Sequence, residues 1–402
     1  MSPHDHPVRK KIAFLAHGLY FGGATASLYL MMKSLERSPF DKILYVTSCR
    51  SEEMKQDFLR YCQSVTTVRI AQVHNNQAGY TPEWQFRLKI LYPLGHFVDE
   101  LIRQHVDILH INSTVFPHIH QAIRSRTQIK IVTHVRELIP SYGNGFGRDY
   151  TIREILKRSD AIVTISDNEA RLFSGHPNLH VLPNPFDFSV TEGVETTFRK
   201  ENAISNDCVL VGMSGQFSRT KGHLDFLRAL RILDERRLAK FPFRFCILGV
   251  SPRPPAWKRA IKSVLRRPDF HRDVLRFIHA NDLMPRLLMR PYEYRFFPAL
   301  KAMDIMVRPS LSGDPWGRDI IEAMAFGKSI VATGNSAFFV RPHETGILVP
   351  AGSPEALADG IQELMNDPAK RERFGMEGRR HIERLCDIRR YGDQLTKLYN
   401  SL

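Results

Sequence analysis

Acidic residues are under-represented in this 402-residue chain: 42 Asp and Glu stand against 57 Lys and Arg, a formal net charge of +15. That imbalance points to acidic partners such as phosphate-bearing ligands, anionic lipid or nucleic acid, and carries no information on fold. Cysteine is also scarce. The five cysteines are scattered without a CxxC pair, which argues against a zinc site or a disulfide framework and suits a reducing interior. Cys246, inside FRFCILG, reads as a small buried hydrophobe. No apolar run approaches the roughly 18 residues a membrane span needs. The N-terminal MSPHDHPVRKKIAFLAHG passes from basic residues into a strand and a glycine turn, unlike a signal peptide. The expected location is therefore cytoplasmic, with at most peripheral contact on the inner face of a membrane. FGGA is not a GxGxxG fingerprint, so a dinucleotide cofactor has no support. No DxD motif is present, and His105, His110, His118 and His120 lack metal-ligand spacing. Neither a cofactor nor a metal is expected.

What the chain does have is a repeated strand–helix rhythm. KIAFLAHG (11–18), the periodic ATASLYLMMKSLE (24–36) and KILYVTS (42–48) read as strand, helix and strand. VTTVRI, VDILHIN, IKIVTHV, DAIVTISD and HVLPN continue the series. The stretch from Pro183 to about Glu201 mixes Pro, Phe, Thr and charge without a period and reads as a linker. The rhythm then restarts with CVLVGMSGQ, GHLDFLRALRILDERR and FRFCILGV. The expected architecture is α/β: two Rossmann-like, doubly wound domains facing a central cleft, over 1–186 and 187–387. The helical segment 388–402 is expected to cross back onto the first domain.

DPWGRDIIEAMAFGKSIVAT (314–333) carries the strongest chemical signal. Asp314 falls in a loop, a helix begins near Gly317, Glu322 lies about one turn in, and Gly327 ends the helix before a strand. The free N–H groups and partial positive charge of such a helix start suit a diphosphate. Carboxylates beside a diphosphate make sense where they accept hydrogen bonds from hydroxyls, as a nucleotide-sugar would offer on either side. Lys221, in SRTKGH between a strand and a helix, sits where a phosphate ligand is expected. His134, at a strand's carboxyl end, lies where α/β sheets bind ligands. Arg136 and Glu137 after it read as a surface ion pair. The basic stretch 253–295 reads as a solvated helical face, with an anionic membrane as the alternative.

Asp314-x7-Glu322, EAMAFGKSIVAT, TGILVPAGSPEALADGI, MSGQFSRTKGHLDFLRAL, GGATASLYL and SDAIVTISD…VLPNPFD together resemble the retaining glycosyltransferases of family 4, enzymes of GT-B fold. The resemblance covers most of the chain. It implies that Glu322 binds the donor ribose, Asp314 contacts the donor sugar and Lys221 neutralises the diphosphate. It further implies that Gly215 and the backbone of Trp316, Gly317 and Arg318 meet the donor, that Gly22 and Gly23 approach the reaction centre, and that His134 lies beside the donor sugar. Asp314 is one methylene shorter than the usual glutamate. Gln216 stands where an arginine is usual, with Arg219 as the nearby substitute, and GNSAFFVRP replaces an acid-bearing glycine segment. The implied function is retaining, metal-independent transfer of a hexose from a nucleoside-diphosphate sugar to a hydroxyl acceptor, a surface or lipid-linked glycan. Two rivals stand beside it: a nucleotide-sugar epimerase of the same fold, and a non-catalytic phosphate or nucleic-acid binder. Nucleic-acid binding calls for aromatics interleaved with basic residues. Here the aromatics fall in apolar or periodic runs, so nucleic acid is not an expected partner.

Overall fold

The computed structural model describes residues 9–20, 22–76, 79–139, 145–237, 239–251, 255, 269–291 and 296–402. The chain divides into two units, 1–186 with 386–402, and 187–385.

The first unit is built on seven parallel strands: β1 (Lys11–Ala16), β2 (Asp41–Val46), β3 (Ser64–Thr67), β6 (Ile108–Ile111), β7 (Lys130–Val135), β8 (Ala161–Thr164) and β9 (Leu179–Val181). A short antiparallel pair, β4 (Asn75–Asn76) and β5 (Gly79–Tyr80), stands apart. The sheet order is β3-β2-β1-β6-β7-β8-β9. These strands are nearly continuous apolar runs because helices cover both faces of the sheet. Along β1, Ile12, Phe14 and Ala16 enter one core, and Ala13 and Leu15 the other. The first of these cores is completed by Tyr391, Leu395 and Tyr399 of the helix Ile388–Ser401, which packs against the helix Gly23–Ser34.

The second unit repeats the plan with β10 (Val209–Ser214), β11 (Phe243–Val250), β12 (Leu287–Pro291), β13 (Ile305–Arg308), β14 (Ser329–Thr333) and β15 (Gly346–Val349), in the order β12-β11-β10-β13-β14-β15. Cys246 is fully buried in β11, and burial pushes its thiol up to about 12. The segment between the units carries two short helical pieces, Phe188–Thr191 and Phe198–Glu201. Of the basic stretch 253–295, residues 253–254, 256–268 and 292–295 lie outside the described residues. Among those described, no helix is long and apolar enough to cross a membrane.

Candidate active site

In both sheets the strand order reverses beside the first strand of the unit, and open α/β sheets bind ligands in the crevice at the carboxyl ends of those two strands. In the second unit they are β10 and β13, which pair directly. The chain leaves β10 at Ser214 and β13 at Arg308, so the segments 215–222 and 309–317 emerge side by side. They interlock: Leu311 N–H donates to the Thr220 carbonyl at 2.9 Å. Gly222 adopts φ 74°, and a Cβ there would lie 1.7 Å from the Pro309 carbonyl oxygen. No other residue satisfies both demands, which is the physical reason for the Lys-Gly pair.

Arg308, the last residue of β13, organises this edge. It is buried. Its guanidinium donates to both Asp319 carboxylate oxygens at 2.7 and 2.8 Å, to Asp314 Oδ2 at 2.7 Å and to the Asp314 carbonyl at 2.8 Å. Asp314 Oδ1 accepts from the hydroxyls of Ser312, at 2.5 Å, and Ser310. Burial opposes the charge on Arg308, but Asp319 and Asp314 hold its pKa above the ordinary value. Burial likewise works to raise Asp314, and Arg308, Lys221 and the two hydroxyls hold it below the usual range. Gly317 lets the next turn close on this cluster, because a Cβ there would stand 2.5 Å from Asp319 Oδ1 and 2.7 Å from Arg308 Nη1.

Gly317 caps the helix Arg318–Ala325, and Gly327 follows it in the left-handed region at φ 67°. Arg318, in the first turn, donates to Glu322 Oε1 through Nε at 2.9 Å and Nη2 at 2.6 Å. Its Nη1 is buried with no partner among the described residues. Burial raises the Glu322 pKa, partly offset by Arg318. The Lys221 pKa is lowered first by Arg308 and then by burial, with Asp319 and Asp314 acting against both. Its ammonium forms no ion pair among the described residues. A half-buried ammonium, Lys221, and the buried free nitrogen of Arg318 thus accompany the unpaired N–H groups of a helix start. Trp316 is buried beside them. Gly215 directly follows β10, Gln216 is exposed, and Arg219 is exposed and placed 3.6 Å from Asp273.

In the first unit, Gly22 caps the helix Gly23–Ser34 in an extended conformation. A Cβ on Gly22 would meet nothing closer than the Tyr20 ring at 4.0 Å. His134 is fully buried within β7. Its Nδ1 lies 3.2 Å from His110 Nε2, and His110 Nδ1 lies 2.7 Å from the Tyr399 hydroxyl. Burial, then Arg136 and His110, push the His134 pKa well down. The resemblance implies a His134 ring beside the donor sugar; in the structure the ring packs on His110, which in turn meets Tyr399 of the final helix. Arg136 and Glu137 do not form the surface ion pair expected of them. Arg136 Nε donates to Asn112 Oδ1 at 2.7 Å, while Glu137 Oε1 accepts from Ser113 Oγ at 2.7 Å and from Thr114 N and Oγ1 at 3.0 and 2.8 Å. Beside this group, His17 Nδ1 is buried without a partner among the described residues. His17 and Asn112, at the reversal of the first sheet, and Arg308 were missed from the sequence. For Arg308 there was a signal, a cation closing the apolar strand IMVR with acids six and eleven residues on.

Two family models match the chain, "Glycosyltransferase Family 4" over residues 21–190 and "Glycosyl transferases group 1" over 194–381. The chain belongs to glycosyltransferase family 4. The chain is similar to the phosphatidyl-myo-inositol mannosyltransferase of Mycobacterium leprae, 33% identical over 106 residues, 26% of this chain and 28% of that one. The D-inositol 3-phosphate glycosyltransferase of Corynebacterium urealyticum is 28% identical over 214 residues, 53% of this chain and 47% of that one. The matches therefore span about half or less of these curated relatives. The crystal structure of Anabaena HepE in complex with UDP superposes with a TM-score of 0.76 at 17% identity, covering 98% of this chain and all of that one. The family 4 chain thus has the two parallel-sheet domains of the GT-B fold.

Proposed function

We propose that this glycosyltransferase moves a hexose from a nucleoside-diphosphate sugar to a hydroxyl of a glycan or lipid-linked acceptor, with retention of anomeric configuration. The carrying observation is a half-buried ammonium in no ion pair, Lys221, and a buried nitrogen without a partner, Arg318 Nη1, both as found among the described residues, beside the helix start at Gly317. When the bond between the anomeric carbon and the phosphate oxygen breaks, negative charge gathers on the leaving diphosphate. Lys221, Arg318 and the helix N–H groups meet that charge without reorganising, the arrangement that lowers a barrier most. The acceptor oxygen bonds to the anomeric carbon on the same face, and its proton passes to the leaving phosphate. Glu322, one turn along, is placed to accept from ribose hydroxyls. Asp314 acts largely through Arg308, because its oxygens are already engaged there and by Ser310 and Ser312. The reaction needs no metal in this reading, and its place is the cytoplasm or the inner membrane face.

Thermal unfolding with UDP, GDP and oligonucleotides tests the donor half: a nucleoside diphosphate should raise Tm and oligonucleotides should not. Incubation with UDP- and GDP-hexoses, scored for nucleotide release and for the product's anomeric configuration, tests the chemistry. Isomerised donor in the absence of acceptor, or an inverted product, would overturn the reading.

A further inference from the structure

The helix Glu83–Ile90 of the first unit has two apolar faces, and its own fold uses one. Phe86 is fully buried, its ring 5.9 Å from Phe146 and 5.8 Å from Tyr150. Trp84, Leu88 and Leu91 recur at helical spacing on the opposite side, and they are 64%, 63% and 77% exposed. Three large apolar side chains standing free in one stripe mark a surface that expects a partner.

The surroundings say which partner. Phe146 and Tyr150 belong to the helix Gly145–Arg158, on which Arg153 and Lys157 are exposed and Arg148 is half-buried. Beyond it, Arg171 and Leu172 close an open depression of about 610 Å³ floored by Ile152 and Leu156. Arg87 lies over the Phe146 ring at 3.7 Å, joining the stripe to this basic helix. Counting charged residues, the two helices hold Arg87, Lys89, Arg148, Arg153, Lys157 and Arg158 against Glu83, Asp149 and Glu154, a surplus of three positive charges. An apolar stripe with Trp at its head, bordered by Arg and Lys, is the composition that lies in the interface of an anionic bilayer.

We propose that Trp84, Leu88 and Leu91 enter an anionic lipid surface while Arg148, Arg153, Lys157 and Arg171 engage its phosphates. The surface stands independently of the transfer chemistry, and it differs from the 253–295 stretch that the sequence alone suggested. The test is co-sedimentation of the full chain with vesicles of phosphatidylcholine, with and without phosphatidylglycerol. Binding is expected only with phosphatidylglycerol, weakening as salt rises, with a blue-shifted Trp84 emission. Trp84→Ser/Leu88→Ser/Leu91→Ser should cut partitioning by about tenfold or more, as should Arg153→Glu/Lys157→Glu, with Tm and the Tm rise given by UDP unchanged. Equal binding to both vesicle types, or retention of binding by both variants, overturns the proposal. So does a wild-type dimer in light scattering that the serine variant converts to monomer, since the stripe would then belong to a second copy. Loss of the UDP effect in the wild type, with vesicle binding intact, would strike only the donor reading.

Discussion

The two units share a strand order and differ in what they place at its reversal. The second puts charge there: Arg308 locked between Asp314 and Asp319, Arg318 on Glu322, and Lys221 in no ion pair among the described residues. The first puts mostly neutral groups there, with Asn112, Ser113 and Thr114 gathered around Arg136 and Glu137. Its interior is furnished with histidines instead. The topology supplies two equivalent crevices, and the loop residues make one electrostatic and the other a hydrogen-bonding surface.

The sharpest way to break this contrast is Arg308→Met. It leaves two buried carboxylates without their cation, which should cost about 3–5 kcal/mol of stability in the second unit. Adding Asp314→Asn and Asp319→Asn should restore part of that. Denaturant melts in which Arg308→Met equals the wild type would show that the lock contributes nothing. Next in size, Lys221→Ala should lower kcat by about 10²–10³-fold and remove the thermal shift given by a nucleoside diphosphate. An unchanged rate would remove Lys221 from the site. Tyr399→Phe should cost about 1–2 kcal/mol, the usual penalty for leaving a buried polar group unpaired, here His110 Nδ1. Because that bond lies in the first unit, the nucleotide effect should persist; a variant that loses nucleotide binding would contradict the division.

The most graded contrast is with pH. Among the described residues, burial lowers seven histidine pKa values in the first unit, those of His17, His74, His110, His118, His120, His134 and His180. In the second it lowers two, His223 and His381. Lowered to about 3 for His110 and about 4 for His118 and His120, these rings stay neutral in the fold and take up protons in the unfolded chain below the ordinary 6.5. The unfolded state then binds more protons, so stability falls as pH drops from about 6.5 toward about 4. Each such ring contributes at most about 1.4 kcal/mol per pH unit. Hydrogen exchange across that range should show the first unit opening before the second. Simultaneous opening would deny the histidines their weight.

Most strands were legible because parallel strands buried on both faces read as unbroken apolar runs. The helix at Gly317 was legible because its cap and its terminating glycine are local signals. His134 shows where local reading stops. It alternates with Ile131, Thr133 and Val135 on β7, and which side of the sheet is closed depends on a helix more than 250 residues further on. The role of Asp314 was obscured for a related reason. A carboxylate before a helix looks the same in sequence whether it awaits a ligand or already clasps Arg308, and only the neighbouring strand end tells them apart.

The first unit draws on residues 386–402, so its core closes with side chains that are synthesised after every residue of the second. Until those residues are made, the side of Phe14 and His110 that Tyr399 covers lacks that partner.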